Sequence, residues 1–172
     1  GGDERFLPLM GVLANNGVIY RPHLVNYIEN IGSGERTLIE PRVMRSIKLK
    51  AENLEFIKRA LAGVNIEGTG ARAFAKAEYT SAGKTGTAQV IAIKQNEKYD
   101  AKNVAERHRD HALFIAYAPL ESPKIALAVV VENAGFGARA AAPIARQILD
   151  YYLLGKKVAA PAAEAPGGES HD

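Results

Sequence analysis

Ser81-Ala82-Gly83-Lys84-Thr85-Gly86-Thr87-Ala88-Gln89-Val90 is the stretch whose reading decides the fold. It carries a Lys-Thr-Gly-Thr core inside a strand-like run that extends over Tyr79 to Ile93. On a strand successive side chains alternate faces, so Thr85 and Thr87 point one way and Lys84 starts on the other. Two hydroxyls on one face can meet a single ligand. Gly83 and Gly86 leave the surface bare for a close backbone approach. The flexible stem of Lys84 is long enough to curl round an exposed edge. A cation, two hydroxyls and free backbone N–H groups together suit an anion and a developing oxyanion. A peptide ending in a free carboxylate fits, laid along the edge as an added strand. Lys-Thr-Gly taken alone favours a Gly-rich edge strand with a solvated lysine, since three residues recur by chance, so the surroundings must decide.

After the motif comes a polar stretch, Lys94 to Arg109, with a short helix expected around Ala105. Ala112 to Ala118 then reads as a strand ended by Pro119. Lys124 to Glu132 reads as another, apolar nearly throughout and therefore expected to be buried on both faces. The connection Leu120 to Lys124 is too short for a crossover, which makes the pair an antiparallel hairpin. A closing helix follows over Ala138 to Leu154, with Ala141, Ile144, Ile148 and Tyr152 expected to face the sheet. Before the motif, Asp3 to Asn16 reads as a helix with Phe6, Leu9, Met10 and Leu13 on one face, stopped at Asn15-Asn16-Gly17. Val18 to Ile31 reads as an irregular start followed by a strand at Leu24 to Glu29, then a turn at Gly32-Ser33-Gly34. Ala51 to Val64 has helical spacing at Leu54, Ile57, Leu61 and Val64, with a start near Glu52 or Asn53. Gly68-Thr69-Gly70 punctuates a loop. The fold class is α/β in the α+β sense: a mainly antiparallel sheet flanked by helices. One domain occupies residues 1–156, and residues 157–172 read as a disordered tail, rich in Ala, Pro, Gly and Glu without periodicity.

Composition narrows the function. A chain of 172 residues can build one real core. The formal net charge of +3 is too small to argue for nucleic acid, and the basic residues alternate with acidic ones, as in Glu106-Arg107-His108-Arg109-Asp110. The absence of cysteine excludes a thiol nucleophile, a Cys-based zinc site and a disulfide framework. No run approaches the roughly 20 apolar residues of a membrane helix, so any anchor is expected outside this segment.

Lys-Thr-Gly is one of three motifs shared by penicillin-binding proteins and class A β-lactamases, the others being Ser-x-x-Lys and Ser-Asp-Asn. The match here is much longer than three residues. Gly11 to Val18, Arg21-Pro22-His23-Leu24, Gly68-Thr69-Gly70-Ala71, Ala82 to Val90, Tyr99 to Phe114, Ala118-Pro119, Val129 to Asn133 and Ala142 to Asp150 fit together in order. Over roughly residues 3–156 the chain resembles the C-terminal part of the transpeptidase domain of class B penicillin-binding proteins. The run Tyr99 to His111 favours their elongation-specific branch, penicillin-binding protein 2, over the division-specific one. The resemblance implies a fold like that of the serine β-lactamases. It also implies a peptidoglycan D,D-transpeptidase that cross-links stem peptides ending in D-Ala-D-Ala through a serine acyl-enzyme, is a target of β-lactams, and uses no cofactor and no metal.

The same resemblance assigns roles. Lys84 would hold the hydrogen-bond network of the second-motif serine and help position the substrate carboxylate. Thr85 and Thr87 would bind that carboxylate. The backbone N–H of Thr87 would form half of the oxyanion hole, and Gly86 would keep the strand open to the acyl group. Implied partners are the stem peptides, β-lactams and the membrane proteins of the elongation machinery. The implied location is the periplasmic face of the bacterial inner membrane.

Two motifs are missing. Ser81-Ala82-Gly83-Lys84 formally fits Ser-x-x-Lys, but that motif works at a helix start, where i and i+3 share a face; on a strand Ser81 and Lys84 face opposite ways. No second-motif triplet is present. The chain is therefore expected to be one piece of a longer protein, without its nucleophile and inactive alone. Gly83-Lys84-Thr85 is not a phosphate loop, since Glu78 stands where the glycine belongs. His108 and His111 have metal-compatible spacing without a third ligand. Glu132 and Asn133 read as a turn. Two other functions compete: a D,D-carboxypeptidase or β-lactamase-like hydrolase, and a catalytically incomplete peptide-binding or scaffold module. A structural rival is a segment that does not fold independently, which would expose apolar edges and faces such as Phe114, Ile125 and Val129.

Overall fold

The computed structural model describes residues 6–88 and 109–157. Its centre is the run His111–Ala118, from Ala112 to Ala118 buried at every residue. This strand is β6, and its neighbours are β5, Ala82–Ala88, and β7, Ile125–Val131. The order β5-β6-β7 is antiparallel throughout, with Ala82 opposite Tyr117 and Ala118 opposite Ile125. The hairpin therefore forms as the short Leu120–Lys124 connection requires. The strand buried on both faces is β6 rather than β7, because among the described residues β6 alone has a strand on each side and helices above and below. Only Leu127 of β7 is fully buried, and Val130 is half exposed.

One face of this sheet is covered by α4, Gly137–Leu154, and α3, Ala71–Phe74. Phe74, Ala112, Phe114, Ala116, Leu127, Ala142, Ala145 and Leu149 form that core. Phe114 is wholly buried and stacks on Phe74 with ring centroids 5.6 Å apart. Ile125 and Val129 pack against the same core. The helical face is also corrected. Ala141 faces the sheet as expected, but Ala142, Ala145 and Leu149 accompany it, while Ile144, Ile148 and Tyr152 turn outward. The alanines let the helix axis sit close to the sheet, and Leu149, whose full burial is worth about 1.5–3 kcal/mol, fills the remaining space. Gly155, at φ 66°, ends the helix in the left-handed conformation.

The opposite face is covered by α1, Phe6–Ala14, through Met10 and Leu13, and by Leu54 of α2, Ala51–Ile66, around Ile115 and Tyr117. α2 begins within two residues of its expected start. Of its four apolar positions, Leu54 is buried and Ile57 is exposed. Between α1 and α2 the chain forms two small antiparallel ladders. β1, Val18–Tyr20, pairs with β4, Val43–Ser46, and β2, Tyr27–Glu29, pairs with β3, Arg36–Leu38. The expected strand from Leu24 is shorter than read and starts at Tyr27. β3 and β4 went unread, because their exposed, charged sequences carry no apolar alternation.

The motif strand begins at Ala82, not Tyr79. Thr80 and Ser81 instead spend their hydroxyls on side-chain bonds. Thr80 Oγ1 donates to Glu121 at 2.6 Å and accepts the Leu120 N–H at 3.0 Å. The Thr80 hydroxyl, with a backbone N–H, holds the Glu121 carboxyl below the usual carboxylate range. Residues 89–93, the helix expected near Ala105, His108 and the tail beyond Lys157 lie outside the described residues.

Candidate active-site strand

β5 is an outer strand of the described sheet, with β6 on one side only. Register with β6 fixes its faces. Gly83, Thr85 and Thr87 lie opposite Ala116, Phe114 and Ala112, and Lys84 and Gly86 lie opposite Ile115 and Leu113. Thr85 and Thr87 thus share a face, as alternation dictates, and Lys84 belongs to the other. Thr87 and Lys84 are exposed and Thr85 is partly buried. Lys84 Nζ turns back along the strand and donates to the Thr85 carbonyl at 2.6 Å. Among the described residues no carboxylate pairs with it.

Two neighbours not picked out by sequence hold the strand from beside it. Asn65, near the C-terminus of α2, is buried, and its Nδ2 donates to Ser81 Oγ at 2.9 Å. Its Oδ1 has no hydrogen-bond partner among the described residues. Ser81 is therefore a buried acceptor. Thr69, in the loop after α2, places its hydroxyl 2.9 Å from that of Thr85. The glycine-flanked hydroxyl in Gly68-Thr69-Gly70 was the available sequence signal for Thr69. Asn65 gave none, since it sits at the apolar period of α2.

α4 meets the strand at Gly86. A Cβ on Gly137 would lie 2.6 Å from the Gly86 carbonyl oxygen and closer still to that of Leu113. Further along, Arg146 Nε donates to Asp150 Oδ1 at 2.8 Å, and its Nη1 donates to the carbonyls of Ala73 and Ala75. Tyr79 donates its hydroxyl to the same Asp150 oxygen at 2.8 Å. Burial, reinforced by that carboxylate, raises the Tyr79 phenol far above its ordinary range.

The described residues form hollows along β5. One of about 370 Å³ lies where β5 starts, lined by Asn65, Phe74, Tyr79, Ser81 and Leu120. At Lys84, Thr85 and Gly86 there is a hollow of about 30 Å³, against Leu113 and Ile115. His111 lies at the start of β6, where its Nδ1 accepts the Asn133 N–H at 3.0 Å. Asn133, at φ 53°, occupies the turn expected there. Among the described residues no cluster of His, Asp or Glu is placed to hold a metal.

The family model of the penicillin-binding protein transpeptidase domain matches residues 6–150. The chain belongs to this family. It is 43% identical over 146 residues to the peptidoglycan D,D-transpeptidase MrdA of Haemophilus influenzae, covering 83% of this chain and 22% of that protein. The fold matches a crystal structure of Pseudomonas aeruginosa PBP2 in complex with WCK 5153 at a TM-score of 0.65 and 36% identity, over 91% of this chain and 32% of that one. It also matches the imipenem acyl-enzyme complex of Mycobacterium tuberculosis penicillin-binding protein A at a TM-score of 0.64 and 25% identity, over 86% of this chain and 29% of that one. The resemblance to penicillin-binding protein 2 is borne out, and so is the fold class. The chain spans less than a quarter of the length of the curated relative it matches.

Proposed function

We propose that this chain is the C-terminal part of the catalytic domain of a peptidoglycan D,D-transpeptidase of the elongation type, and that β5 is the wall that receives the substrate's carboxylate. The observation carrying the proposal is the outer strand Lys84-Thr85-Gly86-Thr87, with both threonines on one face and glycine between them, in a chain that matches the transpeptidase domain over residues 6–150.

In this reading the serine nucleophile comes from the part of the domain that precedes this segment. Its oxygen attacks the carbonyl of the penultimate D-alanine, and the developing oxyanion accepts the backbone N–H of Thr87 and that of the nucleophile. Donors aimed at charge that exists only in the transition state lower the barrier without tightening the ground state. Thr85 and Thr87 hold the terminal carboxylate. Lys84 leaves its internal bond to the Thr85 carbonyl and joins the network of the second-motif serine. The bond to the last D-alanine breaks and D-alanine leaves with the serine's proton; the amine of a neighbouring peptide then attacks the ester, the acyl–oxygen bond breaks, the amine's proton returns to the serine, and the new amide is the cross-link. The enzyme works at the periplasmic face of the inner membrane with the elongation machinery, anchored by a helix outside this segment. No helix of the described residues is long and apolar enough to cross a membrane.

The test is labelling by a fluorescent penicillin with intact mass, on this chain beside a longer protein that carries it. A one-to-one adduct on the longer protein alone supports the reading. An adduct on the short chain overturns the exclusion of Ser81. No adduct on either leaves a carboxylate-binding module without acyl transfer.

A further inference from the structure

We infer that Thr69 is a positioning residue for Thr85, one that sets the direction of the Thr85 hydroxyl proton toward the substrate's carboxylate. The inference rests on the reading of β5 as the carboxylate-binding wall and deepens it.

The two hydroxyls are 2.9 Å apart, and either oxygen can donate. A threonine hydroxyl has one proton to give and two lone pairs to receive. A carboxylate only accepts, so Thr85 can bind it only by donating that proton. Thr85 Oγ1 must then act as acceptor toward Thr69, and Thr69 must be the donor. The pair thus forms a short directional chain from Thr69 through Thr85 to the anion. Donation into an oxygen that is itself donating strengthens the outgoing bond. Without the Thr69 hydroxyl, Thr85 loses both this polarisation and the partner that favours the productive rotamer.

Thr69 is held well enough for such a task. Gly70 N–H donates to the Val64 carbonyl at 2.9 Å, and Glu67 and Gly68 N–H both donate to that of Gly63 at 3.0 and 2.9 Å. A Cβ at Gly68 would meet Val64 Cα at 2.8 Å, and one at Gly70 would meet Asn65 Oδ1 at 2.5 Å. The two glycines therefore let the loop fold tightly onto the end of α2. Asn65 ties the same turn to the start of β5 through Ser81. Thr69 and Thr85 are thus fixed to each other from both ends, and Thr69 remains exposed on the motif's side.

The experiment measures acylation of the longer protein by a penicillin bearing its free carboxylate and by the corresponding methyl ester. The proteins are the unchanged one, Thr69→Val, Thr69→Ser, Thr85→Val and the double valine variant. Loss of one hydrogen bond to an anion corresponds to about tenfold in rate. Thr69→Val should lower the acylation rate constant for the free acid by about tenfold and leave that for the ester unchanged. Thr69→Ser should restore it, and the double variant should be no slower than Thr85→Val. Equal losses with acid and ester, no loss at all, or additive losses in the double variant each overturn the positioning role while the unchanged protein still acylates. Failure of the unchanged protein to acylate overturns the reading of β5 itself, and the role of Thr69 with it.

Discussion

The amide of Asn65 fills the space that a side chain at position 83 would need. A Cβ on Gly83 would lie 2.8 Å from Asn65 Oδ1, 3.0 Å from its Nδ2 and 2.7 Å from Phe114 Cζ. The first glycine of the motif stretch is therefore a packing requirement between α2, β5 and β6 as well as a gap for ligand. Gly83→Ala forces the Asn65 amide and the Phe114 ring apart and should destabilise the transpeptidase domain by about 1–3 kcal/mol. Asn65→Ala removes part of the obstruction, so the double substitution should cost less than the sum of the two singles. Chemical denaturation of the four proteins gives the coupling directly, and strict additivity would refute the wedge.

Asp150 has two donors, Arg146 and Tyr79, and through Arg146 it ties α4 to the carbonyls of Ala73 and Ala75. The Arg146 guanidinium also lies 5.8 Å from the centre of the Tyr79 ring. Asp150→Ala leaves a half-buried cation and a half-buried phenol without their acceptor, and should cost about 2–3 kcal/mol. Tyr79→Phe removes one donor and leaves the ion pair, so about 1 kcal/mol is expected. Comparison of the two unfolding curves checks the order; an equal loss would place the stabilisation in the tyrosine.

Tyr117, on the face of β6 that α1 and α2 cover, is wholly buried, and its hydroxyl has no hydrogen-bond partner among the described residues. Burial, aided by the charges of Glu55 and Glu121, pushes its phenol up to about 12. Because the folded value is raised, the unfolded chain loses this proton first as the pH climbs. Stability is complete below pH ~10 and declines toward pH ~12, by up to about 2 kcal/mol from this group. Tyr117→Phe removes this group's share of the alkaline loss and the orphaned hydroxyl, while Tyr79 keeps its own share. The variant should be as stable as the unchanged protein at neutral pH or slightly more so, with a shallower alkaline limb. A large loss at neutral pH would reveal a partner for the hydroxyl.

What the sequence made legible follows from how locally each feature is determined. The hairpin of β6 and β7 was readable because five residues cannot span a crossover, and the shared face of Thr85 and Thr87 because strands alternate. Which of β6 and β7 lies in the middle was not readable, since both are apolar and only long-range pairing with β5 decides it. The face of α4 was misassigned because large apolar residues were expected inward. Close helix–sheet approach instead selects Ala142 and Ala145, leaving Ile144 and Ile148 outside. Thr69 and Asn65 escaped notice because their partners, Thr85 and Ser81, each lie 16 residues away, and no periodicity links a loop hydroxyl to a distant strand.

Gly137 starts α4 directly over the motif, and its missing side chain is what permits that approach. Any Cβ there would collide with the carbonyl oxygens of Gly86 and Leu113. Both obstacles are backbone atoms of paired strands, so neither can rotate away as a side chain would. Gly137→Ala must therefore lift the first turn of α4 or shift β5 at the residue before Thr87. Ordinarily a Gly→Ala change near a helix start is neutral or stabilising, by up to about 1 kcal/mol; here the expected sign is reversed, with a loss of about 2–3 kcal/mol. A shift of β5 at Gly86 also moves the Thr87 N–H that is proposed to meet the oxyanion. Acylation by penicillin should fall by at least about tenfold at temperatures where the variant is still folded. Gly135→Ala, two residues before the helix and with no atom near its Cβ position, supplies the control. It tests loop strain at φ 79° without touching the motif, and it should lose stability while keeping the acylation rate. If both variants lose stability and neither loses rate, the contact of α4 with Gly86 supports the fold and leaves the oxyanion donor where it was.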